Sequence, residues 1–210
     1  MGVVCPGALW YSFSVPTEAR IRRIQQVLSL RQPDLRVIFE ELTNPHNASA
    51  VLRTCDAAGV LHVHFVSAAA DSFPINKSIS TRADKWVTLH RHATLRECVS
   101  VLKKKRYQLA AACLTEDALP YNALNYTRPT AIIFGNESEG ITPEAVDLAD
   151  FKIKIPMLGM VQSLNLSVSV GIVLYEAFRQ RQAKGYFKRR RLSNTDYAEF
   201  TKNWLSPKED

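Results

Sequence analysis

Residues 155–175 read I-P-M-L-G-M-V-Q-S-L-N-L-S-V-S-V-G-I-V-L-Y, and how this stretch folds decides the architecture. It carries no charged side chain, yet Gln162, Ser163, Asn165, Ser167 and Ser169 are spaced through its apolar residues. A polar group buried without a hydrogen bond costs about 1–3 kcal/mol, so this much polarity in an apolar run needs something specific to bind. Two readings stay open. Residues 164–172 alternate apolar with small or polar, the period of a strand. Ser163, Ser167 and Gly171 also fall four apart, which on a helix makes a small-residue seam, with Ser163 as its cap and L-Y-E-A-F-R at 174–179 continuing it.

Working outward, F-K-I-K-I at 151–155 alternates as a strand, and Pro156 ends it. M-L-G-M at 157–160 then forms a loop whose main-chain groups no neighbouring strand has to use. Further upstream, the apolar strand T-A-I-I-F at 130–134 opens onto G-N-E-S-E-G at 135–140, and T-P-E at 142–144 starts a helix. A buried strand running into glycine-flanked carboxylates is the layout of a ligand site at the carboxyl ends of a parallel sheet.

The earlier chain alternates strands with helices. Strands are expected at 35–39, 61–66 and 107–114, and helices at 17–32, 48–58 and 94–105. Thr17 caps the first helix, and Asn47 is placed to cap the second, which Gly59 ends. Arg53 sits inside that otherwise apolar and small helix. Arg20, Arg22, Arg23 and Arg31 lie mostly off the apolar stripe of the first helix, and guanidinium suits phosphate. His62 and His64 read as the polar face of their strand and not as metal ligands, because no thiol or carboxylate accompanies them at ligand spacing. A long connection at 68–88 carries Lys77, Arg82, Lys85 and Trp86. Alternation of this kind predicts an α/β fold with a mostly parallel sheet.

The 210 residues suit one domain, expected over 17–191 between a loose tail at 1–16 and an extension at 192–210. A net charge of +7 favours an anionic partner. The run R-Q-R-Q-A-K-G-Y-F-K-R-R-R at 179–191 sharpens this, since cations interleaved with Tyr186 and Phe187 suit nucleic acid. The four cysteines are scattered with no C-x-x-C, as expected of reduced thiols in a cytoplasmic protein, and no apolar run is long enough to span a membrane. The opening residues lack the basic start of a signal peptide. P-loop, dinucleotide, zinc-protease and hydrolase-elbow motifs are all missing from the sequence. Chemistry is therefore left to Asn47, Arg53, Glu137, Ser163 and Asn165.

Three stretches together resemble the SpoU branch of the SPOUT RNA methyltransferases: N-x-x-A-x-x-R-T at 47–54, F-G-N-E-S-E-G at 134–140 and I-P-M-L-G-M-V-Q-S-L-N-L-S-V at 155–168. With R-Q-P-D-L at 31–35 and E-A-F-R-Q-R at 176–181, the similarity points to members that methylate the ribose 2′-hydroxyl of the D-loop guanosine at position eighteen of tRNA. The resemblance implies a SPOUT-type fold with a deep C-terminal trefoil knot, a homodimer, and S-adenosylmethionine held largely by main-chain groups. It assigns Ala112, Leu114, Gly135, Ile155, Ser163 and Leu164 to the cofactor. It assigns Arg53, Asn47, Glu137 and Asn165 to catalysis without a metal. Arg20, Arg22, Arg23, Arg179, Arg181, Lys188, Arg189, Arg190 and Arg191 are expected to grip tRNA. A ribosomal RNA methyltransferase and a non-catalytic RNA-binding module are the alternatives.

Overall fold

The computed structural model describes residues 16–68 and 85–206; the tail at 1–15, with Cys5, and Lys77 and Arg82 of the long connection lie outside them. Seven strands form one sheet, β1 (Gln32–Glu40), β2 (Val60–Val66), β3 (Thr88–His92), β4 (Gln108–Ala112), β5 (Leu119–Pro120), β6 (Thr130–Phe134) and β7 (Phe151–Lys154). Their order is β3-β2-β1-β6-β4-β7-β5, and every pairing is parallel. The helices are α1 (Glu18–Ser29), α2 (Pro45–Ala57), α3 (Leu95–Lys104), α4 (Pro143–Leu148), α5 (Leu166–Ala183) and α6 (Asn194–Leu205).

Helices cover both faces, which is why both faces of the central strands carry buried apolar residues, with buried polar exceptions such as Arg36 of β1 and His64 of β2. Val37, Phe39, Ile132 and Phe134 share a core with α2 and α5, while the alternating Ile38, Ala131 and Ile133 pack with α3 and α4. The short strands β3 and β5 went unread because five and two residues carry little pattern. The first strand starts at Gln32, earlier than expected, because the Gln32 main-chain N–H pairs with Gly59 O at 2.9 Å.

The ambiguous stretch is a helix from Leu166, capped by Asn165 and not by Ser163. The seam is real at Gly171, where an added Cβ would lie 3.9 Å from the Thr54 methyl of α2. α5 buries Val170, Val173, Leu174 and Ala177 while Val168 and Tyr175 stay exposed, so apolar residues lie on both its faces and blur the periodicity by which a helix is read.

Two arginines expected on phosphate are buried instead. Arg31 is 1% exposed, pairs with Asp56, donates to Asp56 O at 3.0 Å and lies 5.2 Å from the centre of the Trp204 ring. Arg181 is fully buried and donates to Tyr126 O (2.8 Å), Gln32 Oε1 (3.2 Å), Asp34 Oδ1 (2.6 Å), Asp34 O (3.2 Å) and Arg128 O (3.2 Å). Residues two apart on a helix point about 200° apart, so Arg179 faces solvent while Arg181 faces the core. Burial would raise the Asp34 carboxyl, but the Arg181 and Arg191 guanidiniums outweigh it and hold that carboxyl below its ordinary value.

The segment after 191 belongs to the same packing. Leu192 and Trp204 are buried with Ile24 and Leu28 of α1 and Leu61 of β2, and Trp86 meets Trp204 edge-on at 5.2 Å. The boundary drawn at 191 therefore marks no edge of the fold.

Candidate active site

A cavity of about 960 Å³ opens at the carboxyl ends of β4, β6 and β7, where the chain entering α5 crosses them. Its wall contains Ala112, Leu114, Gly135, Ile155, Ser163 and Leu164, together with Glu137 and Asn165. Cys113, Thr115 and Tyr121, which belong to none of the three motifs, also line it, as does Met157. Lys154 holds the rim by donating to Thr115 O (3.3 Å) and Glu116 O (2.9 Å).

Two glycines shape one wall. A Cβ on Gly135 would sit 1.9 Å from Gly140 O, and Gly140 has φ +73°. Between them Asn136 and Gly140 exchange main-chain hydrogen bonds of 2.8 and 2.9 Å. The opposite wall offers unspent backbone, since residues 156–164 make no main-chain hydrogen bond to one another or to the rest of the described residues. Most of these residues are exposed, so their main-chain groups bond to water until a polar ligand replaces it.

Three catalytic candidates far apart in sequence meet at the rim. Asn47 Nδ2 donates to Glu137 Oε1 at 3.0 Å, and Asn165 Nδ2 donates to Asn47 Oδ1 at 3.3 Å. Asn165 Oδ1 accepts from Ser167 N at 2.8 Å and from Ser167 Oγ at 2.6 Å, so the residue that starts α5 also faces Asn47. Asn47 does not cap α2. Asn44 does, accepting from His46 N at 2.9 Å and Asn47 N at 3.4 Å, because Pro45 already occupies the first turn. That leaves the Asn47 side chain for the site. Arg53 lies six residues further along α2, about 240° round its axis from Asn47. It is exposed and is not part of the cavity wall.

The expected RNA contacts divide. Arg20, Arg22 and Arg23 are exposed on α1, with Arg22 3.6 Å from Glu18. Arg179 is held by Glu176 through two 2.8 Å bonds, and Lys188 and Arg189 are exposed. Arg190 lies 4.2 Å from the Tyr197 ring centre and donates to Leu192 O at 3.2 Å. Arg191 donates to Asp34 Oδ2 at 2.6 Å, 3.9 Å from the Tyr186 ring centre.

The histidines depart from expectation. His64 is 1% exposed, and the Cys98 thiol does accompany it: ligand atoms of His64, His92 and Cys98 lie within 4.8 Å of one another. Arg36 Nη1 stands 3.1 Å from His64 Nε2. A guanidinium only donates, so that nitrogen accepts and the proton sits on Nδ1, which points at His92 Nε2 3.0 Å away. Burial first, then the neighbouring cations, lower His62 to about 3, His64 to about 2 and His90 to about 4. Burial pushes the Cys98 thiol up to about 12.

The family described as SpoU rRNA Methylase matches residues 34–175. The chain is 48% identical over 189 residues to the tRNA (guanosine(18)-2′-O)-methyltransferase of Thermus thermophilus, covering 90% of this chain and 97% of that one. Its fold superposes on the Aquifex aeolicus TrmH/SpoU tRNA modifying enzyme with a TM-score of 0.85 and 40% identity, over 90% of this chain and 95% of that one. The SpoU methyltransferase AviRb from Streptomyces viridochromogenes in complex with AdoMet matches at a TM-score of 0.64 and 26% identity, covering 74% and 64% of the two chains.

Proposed function

The chain belongs to the SpoU rRNA methylase family, and from that premise we propose that it is a tRNA (guanosine-18-2′-O)-methyltransferase using S-adenosylmethionine. The observation that carries the reading is the Glu137–Asn47–Asn165 chain at the rim of a cavity walled by unspent main chain. The cofactor fits that cavity. Tyr121, Phe134 and Leu164 offer apolar surface for a flat base, and the main chain of Met157, Gln162, Ser163 and Leu164 offers donors and acceptors for its polar ends.

When bound, S-adenosylmethionine supplies an electrophilic methyl on a sulfonium. The chain has to bring a ribose oxygen in line with that methyl and manage one proton. Asn47 and Asn165 orient the acceptor ribose at the rim, and Glu137 fixes Asn47 by accepting from its amide. Arg53 serves the incoming RNA. It is exposed on another face of α2 from Asn47, so it contacts the RNA from outside the cavity, and the 2′-hydroxyl proton passes to a substrate phosphate or water because arginine stays protonated. Arg20, Arg22, Arg23, Arg179, Lys188 and Arg189 supply phosphate contacts.

We assign three coarser properties on the same basis. The segment after β7 faces the ends of β4 and β6 across one cavity, which supports the trefoil knot of the family. Val168 and Tyr175 on α5, with Leu158, Met160 and Val161 just before it, are large apolar residues left exposed, which supports a homodimer through this surface. No helix among the described residues is long and apolar enough to cross a membrane. A tRNA substrate supports the reading that the protein works in the cytoplasm.

Incubation with labelled S-adenosylmethionine and unmodified tRNA, followed by mapping, should find the methyl on the ribose of the D-loop guanosine. Ribosomal RNA run in parallel tests the other substrate class. Transfer to ribosomal RNA alone, or no transfer by folded protein, would overturn the assignment.

A further inference from the structure

Glu40, the last residue of β1, and Glu41, which follows it, hold both ends of the loop that carries Glu137. Glu40 is 5% exposed, and its carboxylate accepts from Thr142 Oγ1 at 2.6 Å and Thr142 N at 3.3 Å, at the exit of the loop. Glu41 has φ +47°, a left-handed conformation that strains a residue with a Cβ. At this turn the Glu41 carbonyl accepts from Asn136 Nδ2 at 2.6 Å, at the entrance of the loop. The Glu41 carboxylate meanwhile accepts from Ser67 Oγ at 3.0 Å and Ala68 N at 3.2 Å, which stabilises the turn against relaxing.

Asn136 passes this constraint inward. Its Oδ1 accepts from Ser138 N at 2.7 Å and Glu139 N at 3.3 Å, while its main chain pairs with Gly140. Glu137 lies between these anchored residues. Among the described residues its carboxylate accepts from Asn47, and Asn47 in turn accepts from Asn165.

We propose that Glu41 and Asn136 are positioning residues for methyl transfer: the left-handed turn at Glu41 aims its carbonyl at Asn136, and that bond sets the loop that aims Glu137 at Asn47. The proposal rests on the methyltransferase reading. It extends the site to residues that carry no titrating or nucleophilic role. A one-ångström displacement at a reacting site can cost about 100-fold in rate, so a loop held at both ends has a chemical consequence.

The backbone and the carboxylate of Glu41 can be separated by substitution. Glu41→Gly keeps a residue at ease with positive φ, whereas Glu41→Val places a β-branched side chain where it is most strained. Asn136→Asp keeps the Oδ1 acceptor and removes the donor to Glu41 O. The measurements are kcat on unmodified tRNA, the dissociation constant of S-adenosylmethionine by calorimetry, and amide exchange over residues 136–140.

Asn136→Asp and Glu41→Val are expected to lower kcat at least about 20-fold and speed loop exchange, with cofactor affinity within about threefold of the parent. Glu41→Gly is expected to stay within about fivefold in kcat, with loop exchange near the parent's. An Asn136→Asp protein with parental kcat and protected loop amides overturns the proposal. So does a Glu41→Gly protein as impaired as Glu41→Val, or a variant whose whole defect is cofactor affinity. If Glu41→Val does not fold, the other two variants decide alone. Should the parent methylate no RNA, the methyltransferase reading fails, and loop exchange in Asn136→Asp still tests the clamp.

Discussion

Asn47 shows how little a residue's neighbours in sequence say about its work. It has the composition of a helix cap, yet Asn44 takes that duty and the Asn47 amide spans from Glu137 to Asn165. Asn47→Ala should lower kcat about 100-fold, as loss of a positioning contact does. Because the site is half exposed, the melting temperature should move little. Steady-state kinetics beside thermal unfolding checks both. Arg181 predicts the reverse. Removing a buried, paired cation leaves Asp34 with Arg191 alone and takes the donor from Gln32 Oε1 and the carbonyls of Asp34, Tyr126 and Arg128, at a cost of about 3–5 kcal/mol. Arg181→Ala should therefore lose stability in urea unfolding, and the protein that remains folded should keep its salt dependence for tRNA. Arg189→Ala, by contrast, should flatten that dependence by about one unit of log–log slope, since an exposed cation that releases counterions leaves no other mark.

At the scale of elements, the in-register histidines of β2 and β3 make a stack. His64 and His90 rings lie 4.5 Å apart, His64 and His92 5.2 Å, with Arg36 beside them. Values lowered to about 3 for His62 and about 2 for His64 mean that the fold binds these rings neutral while the unfolded chain protonates them near 6.5. The stability this provides is complete above pH 6.5 and is lost as pH falls below it, by about 2 kcal/mol for each of these two rings at pH 5. Urea midpoints measured from pH 8 to pH 4.5 should be flat above 7 and drop below 6.5. His62→Gln should shallow the drop. A second element-scale result concerns α5, whose seam admits α2 at Gly171. Both Asn47 and Asn165 ride on those two helices, so the close approach also sets their distance.

The whole molecule joins its ends through packing that no local pattern announces. Trp204 and Leu192 close the core cluster under α1, so deleting residues 192–210 should expose Ile24, Leu28 and Leu61. The truncated protein should unfold at lower temperature and lose tRNA affinity with α1, which carries Arg20, Arg22 and Arg23. Exchange protection along α1 and filter binding check this. The exposed apolar residues around α5 predict self-association, and Tyr175→Glu should shift sedimentation from dimer to monomer.

Much was legible in the residues themselves. The apolar run at 130–134 meant a buried strand and the alternation at 61–66 a second strand, and the glycine-flanked carboxylates and the polar-studded apolar run, read as parts of a ligand site, line one cavity. Those are local signals, written in period, volume and the cost of burying unpaired polarity. Other features depended on partners distant along the chain. Whether residues 164–172 made helix or strand was undecidable while a period of two and a small-residue spacing of four both fitted. Arg181 became a core residue because Asp34, 147 residues earlier, is there to receive it. Asn47 joined the site because Glu137 stands 90 residues away in sequence and 3.0 Å away in space. Period reports which side of an element is wet, but only the packed chain decides which buried charges and amides find each other.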